Sequence, residues 1–411
     1  MIKNYLKIAW RNLLKHKSFS LINILGLTIG IAACIIIFTY VSHELTYDQY
    51  NPHADRIARI TLTLKTPEAD MAFATTPFPL ADALKREYPE VAATARLQPT
   101  AATVKSNNDL FKESGFYLAD QSLFSVFLFS FKEGSAASAL KNPDCIVLTE
   151  TTAKKYFPQG ASVIGKRIVC NGKDLLVTGI VADRPANSDI SINALLSADF
   201  SKITSWMGED FSVYTFILFK EKPDLRNFAQ KLIPLSTKYV QPELDAAGAT
   251  KYHGLFELEP LKEVHFSQGK LVDTPKGNKQ FNYIFSLLAV FILIIALLNY
   301  INLSTAKATE RAKEVGIRKL SGALHVQLMR QFLFESFFLI SIAWLVAIGL
   351  AMLGIPFFNK LLNTQLSINW RGQCLVYGGH IFDHSLAGRT VSRLRVVSFQ
   401  TRKSAQRELE T

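Results

Sequence analysis

The sequence is poor in the residues that build metal and redox sites. Its four cysteines, Cys34, Cys145, Cys170 and Cys374, form no CxxC pair and no zinc-ligand spacing. The histidines are as dispersed: His43, His53, His253 and His265 lack the spacing of a metal-ligand set. A complete phosphate loop is missing too. Residues 160–166 (GASVIGK) fill the first seven positions of GxxxxGK[ST], but Arg167 stands where a hydroxyl would meet Mg²⁺. The residues after Lys166 are β-like, where a phosphate loop needs a helix. These absences predict a chain with no catalytic residue, no metal and no cofactor, and so no enzyme.

Charge is scarce as well, at 19% of residues, and unevenly placed. Residues 1–17 hold no acid against Lys3, Lys7, Arg11, Lys15 and Lys17. Residues 303–331 set six basic side chains against Glu310 and Glu314, and the tail from Arg371 is also basic. These three segments account for the formal net charge of +12 and leave the rest close to neutral. Two of them flank long apolar runs, where the positive-inside rule explains them without a nucleic-acid partner.

What the chain has in quantity is apolar side chains, 49% of residues, with a mean hydropathy of +0.15. That mixture predicts a few spanning helices attached to a water-exposed domain. Residues 21–41 and 281–301 carry no charge, and 336–358 has Glu335 at its edge. At about 1.5 Å per residue each run crosses a hydrocarbon core of about 30 Å. The first run is longer than a signal peptide's apolar region and no A-x-A-like cleavage site follows it, so it is expected to stay as an anchor.

Orientation follows from the basic loops, which belong on the cytoplasmic side. The expected fold class is a membrane protein of transmembrane α-helices plus an α+β extracytoplasmic domain of two subdomains. Its order is a cytoplasmic amphipathic helix (1–19), a first span (20–42), the periplasmic domain (43–280), a second span (281–302), a cytoplasmic loop (303–331), a third span (332–358) and a tail (359–411). In the first segment Lys3, Lys7, Arg11 and Lys15 line one face and Ile2, Leu6, Ala9 and Leu13 another, the pattern of a helix lying on a bilayer surface.

In the exported domain, β-like runs fall at 57–64, 145–148, 167–170, 175–180 and 213–219. Helical patterns fall at 79–87, 151–156 and 224–233, the last ended by Pro234, and Asn171–Gly172 reads as a hairpin turn. Asp48, Asp55 and Arg56 read as a polar junction near the membrane. Cys34 reads as a small hydrophobe, and a Cys145–Cys170 disulfide stays open.

Three stretches then carry a family likeness: NYLKIAWRNLLKHKSFSLINILGLTIGIA with HELTYDQYNPHADRIARI, CIVLTETTAKKYFPQGASVIGKRI, and LLNYINLSTAKATERAKEVGIRKLSGALHVQLMRQFLFESF. In this order they resemble the MacB/FtsX-like ABC transporter permeases over about residues 1–370. The resemblance implies an inner-membrane, multi-pass subunit with a MacB-like periplasmic core domain. It implies a separate cytoplasmic ABC ATPase as partner, and a homodimer or second permease half. Motion driven by that ATPase would move periplasmic cargo outward.

The ATPase contact is expected in the cytoplasmic loop, at Glu310, Arg311, Lys313, Glu314, Val315, Gly316, Ile317, Arg318 and Lys319. Glu314 and Arg318 pair at i,i+4, Val315 and Ile317 supply apolar knobs, and Gly316 permits close approach. Two alternatives are a membrane-tethered periplasmic receptor, for which the loop leaves no room for a signalling module, and an FtsX-like regulator of cell-wall hydrolases.

The tail departs from the family, whose members continue into a fourth span. Here 371–411 holds no apolar run long enough. Permitted codons for 387–408, read one base later, yield LAGLYPGFVLYLSKPVKVLKG, which resembles the end of that fourth helix. The expectation is a change of frame near Arg371 and a truncated product, decided by the gene's nucleotide sequence.

Overall fold

The structure, a computed structural model, describes residues 7, 10–11, 13–15, 17–106, 109–158, 162–208, 212–320, 325–362 and 364–368. The basic N-terminus is therefore described only in part, with helical residues at 7, 10–11 and 13–15. The tail from 369, and with it the expected change of frame, lies outside the described residues. The chain divides into two units: His43–Phe281, and Met1–Ser42 with Asn282–Thr411.

Among the described residues, the second of these holds three helices long and apolar enough to cross a membrane. They are α1 (Lys17–Leu45), α8 (Lys279–Leu320) and α9 (His325–Leu362), with α2 to α7 lying between them in sequence. Each extends past the apolar run that predicted it. Small residues let them pack closely, because helices in lipid gain little from burying apolar surface against each other. A Cβ on Gly30 of α1 would lie 2.7 Å from Ala296 Cβ of α8, and one on Gly26 2.8 Å from Asn299 Nδ2. Ala343, Ala347 and Ala351 form a fully buried stripe at four-residue spacing on α9, and Thr28 Oγ1 donates to the Ala343 carbonyl at 3.2 Å.

The His43–Phe281 unit is an α+β domain on one mixed sheet of 11 strands. Its strand β1 (Ile57–Lys65) is buried on both faces except at its last residue, as a strand covered on both sides must be. It pairs antiparallel with β11 (His253–Pro260), β10 (Tyr214–Phe219) and β2 (Met71–Phe73). One face of β1 presents Ile60 and Leu62 to a core with Leu84, Phe219, Phe228, Leu232 and Phe256. Helices α2 (Leu80–Glu87), α5 (Leu225–Tyr239) and α6 (Gln241–Ala246) flank this lobe.

The other lobe is a closed ring. From β10 the sheet passes to β3 (Val91–Ser106) and β4 (Asp109–Ala119), and on through β9 (Ala194–Ser197) and β6 (Cys145–Thr149) to β8 (Lys173–Val181). Strand β7 (Arg167–Cys170) then pairs with both β8 and β3 and closes it. Val104, Phe116, Ile146, Leu148, Val177 and Ala194 belong to its core, with Ala153 and Tyr156 of α4 (Glu150–Tyr156) packed among them. Outside the ring, β5 (Phe131–Gly134) edges β8, and α3 (Leu123–Val126) and α7 (Leu261–Val264) are single turns. The two expected subdomains are these two lobes, which share β3.

Asn171 and Gly172 both take positive φ, at 51° and 75°, as a tight hairpin between β7 and β8 requires. Asn171 also accepts from Thr103 N at 2.7 Å and donates to Ala101 O at 2.8 Å, which pins the ring shut. One expectation is corrected. Pro234 does not end its helix: α5 runs on to Tyr239. Phe228, Leu232 and Leu235 form a buried stripe across the proline, and their packing offsets the lost backbone bond.

Candidate functional site

The chain enters the domain through the last residues of α1 and leaves it through 265–281. These two ends meet around a buried set of charges that lie far apart in sequence. His265, just past α7, places Nε2 3.1 Å from Glu44 Oε2 and Nδ1 3.6 Å from Asp189 Oδ1, the second an ionic contact too long for a hydrogen bond. Tyr47 stacks on the imidazole with ring centroids 3.4 Å apart. Lys276 Nζ reaches both oxygens of Asp189, at 2.7 and 2.8 Å, and Asp273 Oδ1 at 3.1 Å.

The same cluster continues into β1. Arg59 faces away from the Ile60 core, its side chain 1% exposed, and meets two carboxylates: Glu259 at 2.7 Å and Asp273 at 2.8 Å. Lys270 covers the other oxygen of Glu259. Between them Val272 takes a positive φ of 54°, and Tyr214 donates to its carbonyl at 3.1 Å. Charges this buried persist only when paired, so the cluster fixes its segments relative to one another.

The surroundings set the titration of the cluster. Burial pushes the Asp48 carboxyl up to about 6 against the pull of Arg184, and neighbouring Asp189 adds to the rise. Burial works against a charged His265, but its contacts with Asp189 and Glu44 outweigh that and raise its pKa. Asp189 and Glu259 are held below the usual carboxylate range despite their burial, the first by His265 and Lys276, the second by Arg59 and Lys270.

The residues singled out in the sequence fall into three groups. Residues 310–319 lie in α8, which continues through them as a helix; of these side chains only Ile317 is described, and it is 60% exposed. Asp48 belongs to the buried cluster, whereas Asp55 meets Lys262 and Arg56 donates to the Lys220 carbonyl on the surface. His265 gains carboxylate partners that its position in the sequence did not suggest. The phosphate-loop mimic passes from a turn at Gly165 into β7. Cys145 and Cys170 are both free and buried, so no disulfide joins them. Among the described residues no group of three His, Cys, Asp or Glu is placed to hold a metal.

Comparison with known proteins supplies the class. Residues 20–234 match the MacB-like periplasmic core domain and residues 286–388 the FtsX-like permease C-terminal. The first match alone covers more than half of the chain, which belongs to the MacB/FtsX-like ABC transporter permease family.

Among curated relatives, the macrolide export ATP-binding/permease protein MacB of Salmonella choleraesuis (strain SC-B67) is 24% identical over 236 residues, 56% of this chain and 33% of that protein. MacB of Photorhabdus laumondii is 23% identical over 355 residues, 84% of this chain and 51% of that protein. The chain thus spans about a third to a half of the length of these relatives. Among solved structures, a permease domain from Porphyromonas gingivalis aligns at TM-score 0.46 and 17% identity, covering 56% of this chain and 94% of that one. The periplasmic region of MacB from Actinobacillus actinomycetemcomitans aligns at 0.34 and 15%, covering 51% and 94%.

Proposed function

We propose that this chain is the permease subunit of an ABC-type transporter, passing ATPase-driven motion to its exported domain for export or extrusion of cargo. In this reading it is a multi-pass inner-membrane protein, non-catalytic itself. It works with a cytoplasmic ABC ATPase and pairs with a second copy or a second permease half. The observation that carries the reading is the continuity of α8. Its 42 residues run from the end of the exported domain, through an apolar span, into the charged segment at 310–319. At about 1.5 Å per residue the helix exceeds a hydrocarbon core of about 30 Å. It can therefore cross a bilayer and still present charges beyond it.

In the proposed contact, Glu310, Arg311, Lys313, Glu314, Arg318 and Lys319 supply ion pairs to the ATPase, and Val315, Gly316 and Ile317 supply its apolar and close-approach points. Affinity purification of the chain from its own cells tests this. The wild type should bring down an ABC ATPase, identified by mass spectrometry. Glu314→Lys, which sets like charges at i,i+4 with Arg318, should lose most of it. Undiminished recovery with the variant would count against the assigned segment.

A further inference from the structure

The carboxylate of Glu44 has an unusual set of partners. It is 5% exposed, and among the described residues its ionic neighbours within 4 Å are both imidazoles: His265 at 3.1 Å and His43 at 3.9 Å. Three other acids of the cluster each meet a lysine or arginine within 4 Å. Asp189 has Lys276, Glu259 has Arg59 and Lys270, and Asp273 has Arg59 and Lys276. A buried carboxylate needs a compensating charge, so the pair Glu44–His265 is stable only while it holds a proton between its members.

The site is also sealed. Gly277 packs its backbone over the pair, so closely that a Cβ there would lie 2.4 Å from His265 Nε2 and 2.7 Å from Glu44 Oε2. Gly277 N donates to the His265 carbonyl at 2.9 Å, and Tyr47 covers the ring. Other charges face the imidazole from each neighbouring element. Asp189 stands at 3.6 Å, backed by Lys276, and Asp48 accepts from the Asp189 amide. Arg59 reaches the cluster from β1, and Arg184 faces Asp48 from among Tyr50, Phe127 and Phe129.

We infer that the Glu44–His265 pair is a proton-dependent fastening, closed when the pair carries its proton and loosened when alkali removes it, and that His265 is its positioning residue. The pair joins the last turn of α1 to 265–277, the stretch that leads back out of the domain. On the permease reading above, movement of α1 reaches the domain through this fastening, so external pH sets how firmly the two are joined.

The sign follows from the titrating groups. His265, with its pKa raised, contributes stability that is complete below its ordinary value near 6.5 and is lost as pH rises through the raised one. Asp48, raised to about 6, loses stability in the same direction over a slightly lower range. Asp189 and Glu259, both lowered, act oppositely and only in acid, as pH falls through their depressed values. Between pH 6 and 9 the fastening should therefore only weaken.

The test is hydrogen–deuterium exchange on the full chain in lipid nanodiscs, read on peptides covering 43–51 and 265–277. No ATPase is present, so the outcome is independent of whether one binds. Glu44→Gln removes the buried charge and keeps the hydrogen bond, so its exchange relative to wild type should fall several-fold between pH 6 and pH 9. His265→Gln takes from Glu44 its nearer imidazole and cannot carry the shared proton, so it should exchange faster than wild type at pH 6 and match it at pH 9. Asp48→Asn should leave the change between pH 6 and 9 largely in place, because Asp48 loses its contribution between its ordinary value of 3.8 and about 6. Should His265→Gln not fold, Glu44→Gln decides alone. A ratio of Glu44→Gln to wild type that stays constant from pH 6 to 9 overturns the inference.

Discussion

Arg59 occupies the middle of a strand, with alternate neighbours in the apolar core, yet its own side chain is 1% exposed and holds two carboxylates. Removing one partner of such a set leaves charges that nothing solvates. Arg59→Ala should cost roughly 3–5 kcal/mol, measured by thermal unfolding of the full chain in nanodiscs with buried Trp206 as a fluorescent reporter in the domain. A cost below about 1 kcal/mol would mean that Lys270 and Lys276 suffice for Glu259 and Asp273.

At this scale the sequence told little. His265 stands among unrelated residues, and its partners Glu44 and Asp189 are 221 and 76 positions away. The traces it left are a glutamate three residues past an apolar run and the segment DTPKG just before the next. Pairing across such separations depends on the sheet, which composition cannot supply. Asp48, by contrast, was placed at a polar junction by its position alone.

Among elements, legibility follows how directly physics writes a pattern into sequence. Strands β6, β7, β8 and β10 stood out because short β-branched and aromatic runs bounded by turn residues fit a buried ladder. Strand β3 did not: VAATARLQPTAATVKS is rich in small and polar residues and contains a proline. Pro99 is tolerated because pairing with β10 stops at Leu97 on one side while β4 continues on the other, so its missing N–H falls where the β10 ladder has ended. The hairpin β3–β4 was missed for that reason, and with it the ring.

The apolar helices were legible because a bilayer fixes their length, but their mutual packing was not. It rests on single small residues: a valine at Gly30 would drive its Cβ into Ala296. Gly30→Val should therefore lower the stability of the helical unit by about 1–3 kcal/mol, seen as earlier unfolding in a detergent titration. An unchanged titration would mean that α1 and α8 do not meet at this face.

At the scale of the whole molecule, family membership rests on two matched segments, one running from α1 into the domain and one from within α8 onward. Charge distribution rather than motif chemistry indicated the arrangement, since topology signals are read off basic residues beside apolar runs. From that reasoning we propose that the mixed-sheet domain lies on one side of the membrane and the far end of α8 on the other.

Single-cysteine labelling tests that arrangement most directly. With the four native cysteines replaced by alanine, Leu110→Cys marks the exposed tip of β4 and Leu320→Cys the exposed end of α8. A membrane-impermeant maleimide applied to sealed spheroplasts should label the cysteine at 110 at once and the cysteine at 320 only after lysis. Labelling of 320 before lysis, with 110 protected until lysis, would contradict the account.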